Sequence, residues 1–440
     1  MGSTKRILSS SVLIALVLLV SFGCASYFLD DAQVDLRNSF ANRDFDNASS
    51  LLDRFEQQKV YQSKDAVLMY LERGAVLHFA GDYEGSNQFF NEAELEIEAQ
   101  FARSVTRAIQ SFVVNDYSLV YGGEDYEDIY LNVFKSLNFM HLGDLESALV
   151  EARRLSFKME RLDEHYRGLA ESLARQDTTG KVDWEIGDVN IENSALGHYL
   201  SAVLYSKSNR PDNARIEIDR ARVALNDQAA IGARPQVGDE LFDKISEPES
   251  FNLMLKGFSG RAPIKKSNEY RLYIPEEDFY LIFSLPTLEE WESSVAEVSA
   301  VINDTLTVPL YLIEEMDKIA REVYKVKEPL VYGRSVVRSL IKAFGSRALA
   351  NRAREENEIL GEVLSIFGKI GQEVTERADT RSWQTLPGKA HSTLLYLPEG
   401  SHDVRIQYKD RSGNLLFFEE QEIEITSANS LNVMQTLYWN

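Results

Sequence analysis

The chain has 440 residues, 47 basic and 69 acidic, for a formal charge of −22. So negative a body excludes a broad nucleic-acid or anionic-lipid face, because those partners carry the same sign. With 44% apolar and 26% charged residues the composition is that of a globular protein, and the length predicts two or three domains.

Lys5 and Arg6 precede an apolar run from Val12 to Phe22, 11 residues where a spanning helix needs ~20. Residues 1–23 therefore read as a secretory signal. Ser21-Phe22-Gly23-Cys24-Ala25 resembles the lipobox of bacterial lipoproteins, whose cysteine takes a diacylglyceryl group and becomes the mature N-terminus. Ser21 stands where that family prefers an aliphatic residue. Cys24 is the only cysteine, so no internal disulfide can use it. Acyl chains stabilise membrane attachment by ~0.8 kcal/mol per buried methylene. Residues 24–30 are then a lipidated tether, with the acyl lipid the only non-protein group expected. An ordinary cleaved signal or an uncleaved anchor is the alternative. The chain from Cys24 carries 45 basic against 69 acidic side chains, −24.

All ten prolines lie at or after Pro211, and proline interrupts helices most strongly, so the architecture should change near there. Before it, helical periodicity is dense: Leu68, Leu71, Ala75 and Phe79, then Phe89, Phe90, Ala93 and Leu95. "LERGAVLHFAGDYEGSNQFFNEAE" and "FKSLNFMHLGDLESALVEARR" resemble the tetratricopeptide (TPR) repeat, small and aromatic residues alternating across a helix pair. Weaker copies surround Phe45 and Ala48, and Tyr205 and Ala214. The equivalent small positions, 48, 86, 148 and 214, are unevenly spaced, which predicts extra helices between repeats, such as Glu98 to Val113. Residues 31–230 are thus expected to form a TPR-like α-solenoid, with a plain bundle as the alternative.

From Gly232 to Ser267 loop chemistry dominates; "YRLYIP" and "FYLIFSLP" then read as strands. Helices return over Leu310 to Tyr324 and Gly333 to Lys369, giving a mixed α/β domain over 231–380. From Thr393 the pattern is β only, with "PEG" and "DRSGN" turns, so 381–440 should be a small β-sandwich-like domain. The fold class expected is α+β, multidomain.

No catalytic or metal site is legible. Spaced Cys/His ligands, His-Glu-x-x-His, a phosphate loop and a Gly-x-Ser-x-Gly elbow are missing. Ser259 in "GFSGR" reads as a turn residue, and Ser339-x-x-Lys342 as a helix surface. The acidic, tyrosine-rich stretch 116–132 stands out. Glu124, Asp125, Glu127 and Asp128 fit the first turns of a helix, where carboxylates meet exposed amide donors. That leaves Tyr117, Tyr121, Tyr126 and Tyr130 to pack internally or to offer an aromatic surface. Tyr117, Tyr121, Glu124, Asp125, Tyr126 and Glu127 are the candidate partner-binding set. A basic island lies between Ala320 and Glu355, with Arg334, Arg338 and Lys342 flanking an apolar helix stripe. Those three are a candidate basic surface that docks on the chain's own acids or faces anionic headgroups or an acidic partner.

"YGGEDYEDIYLNVFKSLNFMHLGDLESALVEARRL", "REVYKVKEPLVYGRSVVRSLIK" and "RSWQTLPGKAHSTLLYLPEGSHDV", together with the lipobox, resemble a largely uncharacterised family of bacterial envelope lipoproteins with TPR-like repeats. The resemblance implies an outer-membrane lipoprotein facing the periplasm, a non-enzymatic scaffold or adaptor whose solenoid binds an envelope protein or peptide, with no nucleic-acid partner. A cell-wall or glycan-binding module in the C-terminal β domain is the alternative, and an enzyme acting on envelope polymers ranks below both.

Overall fold

The computed structural model describes residues 29–103, 114–177, 183–187, 193–235, 237–274, 279–353, 378–427 and 429–440. Cys24 and the signal lie outside them.

Four helix hairpins share one turn: α1 (29–41) with α2 (Phe45–Gln57), α3 (Ala66–Ala80) with α4 (Tyr83–Ala102), α5 (Asp125–His141) with α6 (Leu145–Glu160), and α8 (Ala195–Lys207) with α9 (Pro211–Ala230). A left-handed residue ends each first helix: Arg43, Gly81, Gly143 and Asn209, at φ 58°, 87°, 78° and 56°. The following N–H, of Asp44, Asp82, Asp144 and Arg210, reaches back five residues to a carbonyl at 2.9, 3.0, 2.9 and 2.9 Å, closing a Schellman turn. Each of the three aspartates caps the second helix by accepting a backbone N–H, while Pro211 starts the fourth. Four residues after each turn comes the small position: Ala48, Ser86, Ala148 and Ala214, 0, 0, 0 and 2% exposed. Small residues let the paired helices close. A Cβ on Gly74 would stand 2.7 Å from the Phe90 ring, and the Ser86 hydroxyl donates to the Gly74 carbonyl at 2.8 Å.

α7 (Leu162–Gln176) is an extra helix between the third and fourth hairpins, and α10 (Asp239–Ser246) follows the fourth. Of the extra helix expected over Glu98 to Val113, Glu98 to Ala102 is the end of α4; residues 104–113 lie outside the described residues.

The strands are β1 (Leu253–Arg261), β2 (Ile264–Ile274), β3 (Phe279–Glu289), β4 (Glu297–Ile302), β5 (Leu306–Pro309), β6 (Tyr311–Glu314), β7 (Pro387–Leu395), β8 (Gly400–Lys409), β9 (Leu415–Ile425) and β10 (Asn432–Tyr438). They form one sheet ordered β10-β1-β7-β6, a second ordered β5-β4-β8-β9, and the hairpin β2-β3. All described pairs are antiparallel except β1 with β10. The two four-stranded sheets stack face to face over Leu253, Leu255, Val298, Ala300, Val404 and Ile406. The other face of the first sheet, Met254, Phe258, Ala390, Leu394 and Leu437, belongs to a single apolar cluster reaching through the helices to Leu29.

Two expectations are corrected here. The boundary at residue 380 separates nothing: β7 and β10 pair with β1, and β8 pairs with β4. Four tail strands alone would leave edges unpaired, and strands preceding the long helix α11 (Met316–Ala353) supply the partners. Tyr311 to Glu314 is a strand, and the expected helices over 310–324 and 333–369 join, as far as Ala353, into α11 with Pro329 inside it. The fold is α+β, with one apolar cluster joining the helical layer to the outer face of the first sheet and a second filling the sandwich between the two sheets.

Candidate functional site

The inner wall of the helical layer is occupied by its own chain. Arg381, Ser382, Trp383, Gln384 and Thr385 are 2, 0, 1, 4 and 0% exposed. Glu72 of α3 accepts the Gln384 N–H and the Thr385 hydroxyl, each at 2.6 Å. Glu127 of α5 accepts the Trp383 N–H at 2.6 Å, the Glu124 N–H at 2.9 Å and the Tyr121 hydroxyl at 2.7 Å. A carboxylate taken from water needs such donors. Burial still pushes both glutamates up to about 7. Trp383 lies edge-on to Phe90 and Phe134 at 5.8 and 5.6 Å. Arg381 pairs with Asp65 at 2.9 Å and Asp379 at 2.7 Å, donates to the carbonyls of Asp116 and Leu119, and stands over the Tyr117 and Tyr121 rings.

Beside this segment, the acidic block and the basic island meet. Lys327 contacts Glu124 at 2.6 Å and Asp125 at 3.1 Å; Lys265 contacts Glu124 at 2.5 Å. Tyr166 of α7 donates to Asp125 at 2.7 Å. Arg338 and Arg334 reach Asp116 at 3.1 and 3.8 Å. These groups line a cleft of ≈ 160 Å³ between α5, α7 and α11, whose apolar walls include Ile97, Leu169 and Leu330. The acids and bases neutralise one another in a partly desolvated setting, where an unpaired charge would cost far more than on the surface.

The expected partner-binding surface is therefore corrected. Tyr121, Tyr126, Glu124 and Glu127 are 2, 1, 5 and 0% exposed, and Tyr117 and Asp125 are half-buried. The tyrosines pack because the 381–385 segment and α11 cover them. Arg338 is likewise 1% exposed and is no basic surface, and Arg334 retains 17% of its side-chain exposure; docking on the chain's own acids is the arrangement found. The Lys342 side chain lies outside the described ones.

The outer face is different, and the sequence reading missed it. Leu95 on α4, Phe157 on α6 and Val223 on α9 are 62, 56 and 55% exposed. Each lies nine residues after the small position of its hairpin, 86, 148 and 214. Val150 and Ile216, two residues after that position, are also exposed, 53 and 45%. Leu95, expected on an apolar packing face, was the available signal: the other two share its offset.

Two clusters resemble catalytic arrangements. Ser156 lies 3.2 Å from His198 Nε2, and His198 Nδ1 lies 2.6 Å from Glu217. The trio packs between α6, α8 and α9, 7, 3 and 7% exposed. Ser156 sits inside α6, where neighbouring N–H groups are spent on the helical ladder and cannot serve a developing oxyanion. Ser259, expected in a turn, lies in β1, wholly buried and 3.2 Å from His391. Between helices and sheet, Lys256 is also wholly buried; its Nζ makes no hydrogen bond and faces Tyr199 and Phe258, and burial holds it down at about 7.

Among the described residues, no group of three or more His, Cys, Asp or Glu is placed to hold a metal, and no helix is long and apolar enough to cross a membrane. Comparison with protein-family models, curated proteins and solved structures matches none of them to this chain.

Proposed function

We propose that the protein is a non-enzymatic adaptor of the bacterial envelope, anchored by acyl lipid on Cys24 to the outer membrane and facing the periplasm. Its helical layer acts as a TPR-like solenoid that binds a partner protein with its outer face. The observation carrying this reading is the recurrence of an exposed apolar side chain at one position of three hairpins, Leu95, Phe157 and Val223. Isolated apolar side chains on a surface are normal, but an apolar array repeated in register favours a protein interface. The inner wall, the usual peptide groove of such repeats, already holds residues 381–385, which favours the outer face. Leu29, 2% exposed, lies five residues after Cys24, so the tether reaches less than ~20 Å at full extension. The body would lie close against the membrane, orienting that face.

A photoreactive side chain placed at 95, 157 or 223 in the native envelope should yield one common adduct, and one placed at Tyr396, 49% exposed on the sandwich side, should not. Adducts from 396 alone, or from none of the three, overturn the outer-face reading. Mass spectrometry of the native protein should find Cys24 acylated at the mature N-terminus; an unmodified thiol there removes the anchor.

A further inference from the structure

The hairpin of β2 and β3 is a sheet of two strands, each 11 residues long and paired throughout without a shift in register. A two-stranded ribbon is marginal by itself, and its two edges are treated differently. The β3 edge is closed. α11 packs on it, Pro286 has no N–H to offer, and the Pro286 carbonyl accepts from the Tyr324 and Tyr332 hydroxyls at 3.1 and 3.4 Å. The β2 edge has no such cover. The Lys265 N–H donates to the Ser382 hydroxyl at 3.3 Å and not to β3. Residues in step with it, Ser267, Glu269 and Arg271, therefore also turn their N–H and C=O groups away from β3. Residues 266–271 are all exposed. Among the described residues, nothing in the protein bonds to the backbone of Ser267, Glu269 or Arg271 along that edge. β2 has no proline, glycine or bulge to spoil it as a template, and Lys266 is held by Glu289 across the hairpin.

We infer that this edge pairs with a second copy of the chain: two β2 strands lie antiparallel about a two-fold axis at Tyr270, joining the hairpins into one four-stranded sheet. A two-fold interface must complement itself, and charge selects both the strand and the register. Centred on Glu269 or on Arg271, the pairing would oppose like charges. Centred on Asn268, it would need the Lys265 backbone, already bonded to Ser382. Centred on Tyr270, it sets each Glu269 opposite Arg271 of the other copy, twice, at positions that exchange backbone hydrogen bonds. β9, the outer strand of the second sheet, carries Glu419, Glu420, Glu422 and Glu424 and would set acid against acid. The inference uses neither the outer face of the helices nor the lipid. Sedimentation of the full chain over a concentration series should show a monomer–dimer equilibrium. Glu269→Arg and Arg271→Glu, both at exposed positions, should each raise the dimer Kd roughly tenfold or more, and the double reversal should restore it. Under oxidation Tyr270→Cys should form a disulfide with its own copy, since opposed residues at such an axis stand within disulfide reach; Asn268→Cys and the unsubstituted chain should not. A monomer at every concentration, a dimer equally tight in all three charge variants, or a disulfide at 268 in place of 270 overturns the pairing.

Discussion

The two sides of the helical layer obey opposite rules. On the inner wall, buried ionisable groups are satisfied from within the chain: Glu72 and Glu127 accept from residues 383 to 385 at 2.6 Å, and Arg381 of the same segment pairs with Asp65 at 2.9 Å and Asp379 at 2.7 Å. On the outer face, apolar side chains stand exposed at repeated positions. A surface selected only for solubility would have the reverse bias. The difference separates stability from binding: changes to the inner wall should unfold the protein, and changes to the outer face should leave it folded and alone.

That contrast can be broken in four places. Arg381→Ala leaves Asp65 and Asp379 buried without their cation and should cost about 3–5 kcal/mol, read by urea denaturation. A loss below ~1 kcal/mol would place the 381–385 segment outside the cooperative unit. Gly74→Ala drives a methyl to 2.7 Å from Phe90; overpacking of this kind costs about 1–3 kcal/mol, and Phe90→Leu in the same chain should recover part of it.

Lys256→Met tests the interior with the opposite sign. Burial holds the lysine at about 7, against 10.5 for an exposed one. Between those values the unfolded chain binds the extra proton, so the natural protein gains stability as pH rises through that window. The methionine variant lacks that linkage. At pH 6 it should be more stable than the natural chain by about 1–3 kcal/mol, having no unpaired buried ammonium, and the advantage should shrink steadily towards pH 10. An advantage independent of pH would mean that the lysine keeps its ordinary pKa in the folded protein, so that folding and proton binding are not linked there.

The smallest stability effect belongs to the outer face. Leu95→Ser, Phe157→Ser and Val223→Ser should each change stability by no more than ~0.5 kcal/mol. Together they should abolish the common photo-adduct formed from 95, 157 and 223, tested with the probe at Val150. Unfolding of the triple variant would identify the three side chains as core and erase the distinction between the two faces.

Much of the helical layer was readable in advance. The small positions 48, 86, 148 and 214 and the Gly-Asp turns are local features, and each hairpin closes within a few residues of them. The tail strands were also legible as strands, from alternation and turn residues. Their partners were not: β1 precedes β7 by more than a hundred residues in the chain, yet pairs with it along its length, and strand pairing leaves no local mark. The tyrosine-acid block was singled out correctly as unusual but assigned to the wrong side of the surface. The spacing of Glu124 and Glu127 fits a helix start, and they do form a capping box. Nothing near them in sequence tells that the N–H of Trp383 will complete their hydrogen bonds.

By itself, then, the sequence determined the turns and the helix pairs, because these depend on contacts within a few residues, where φ preference, caps and small side chains act directly. Tertiary structure alone decided which acids are buried, which bases neutralise them and which apolar side chains remain exposed. Those outcomes depend on desolvation, which is set by whatever distant segment happens to cover a side chain.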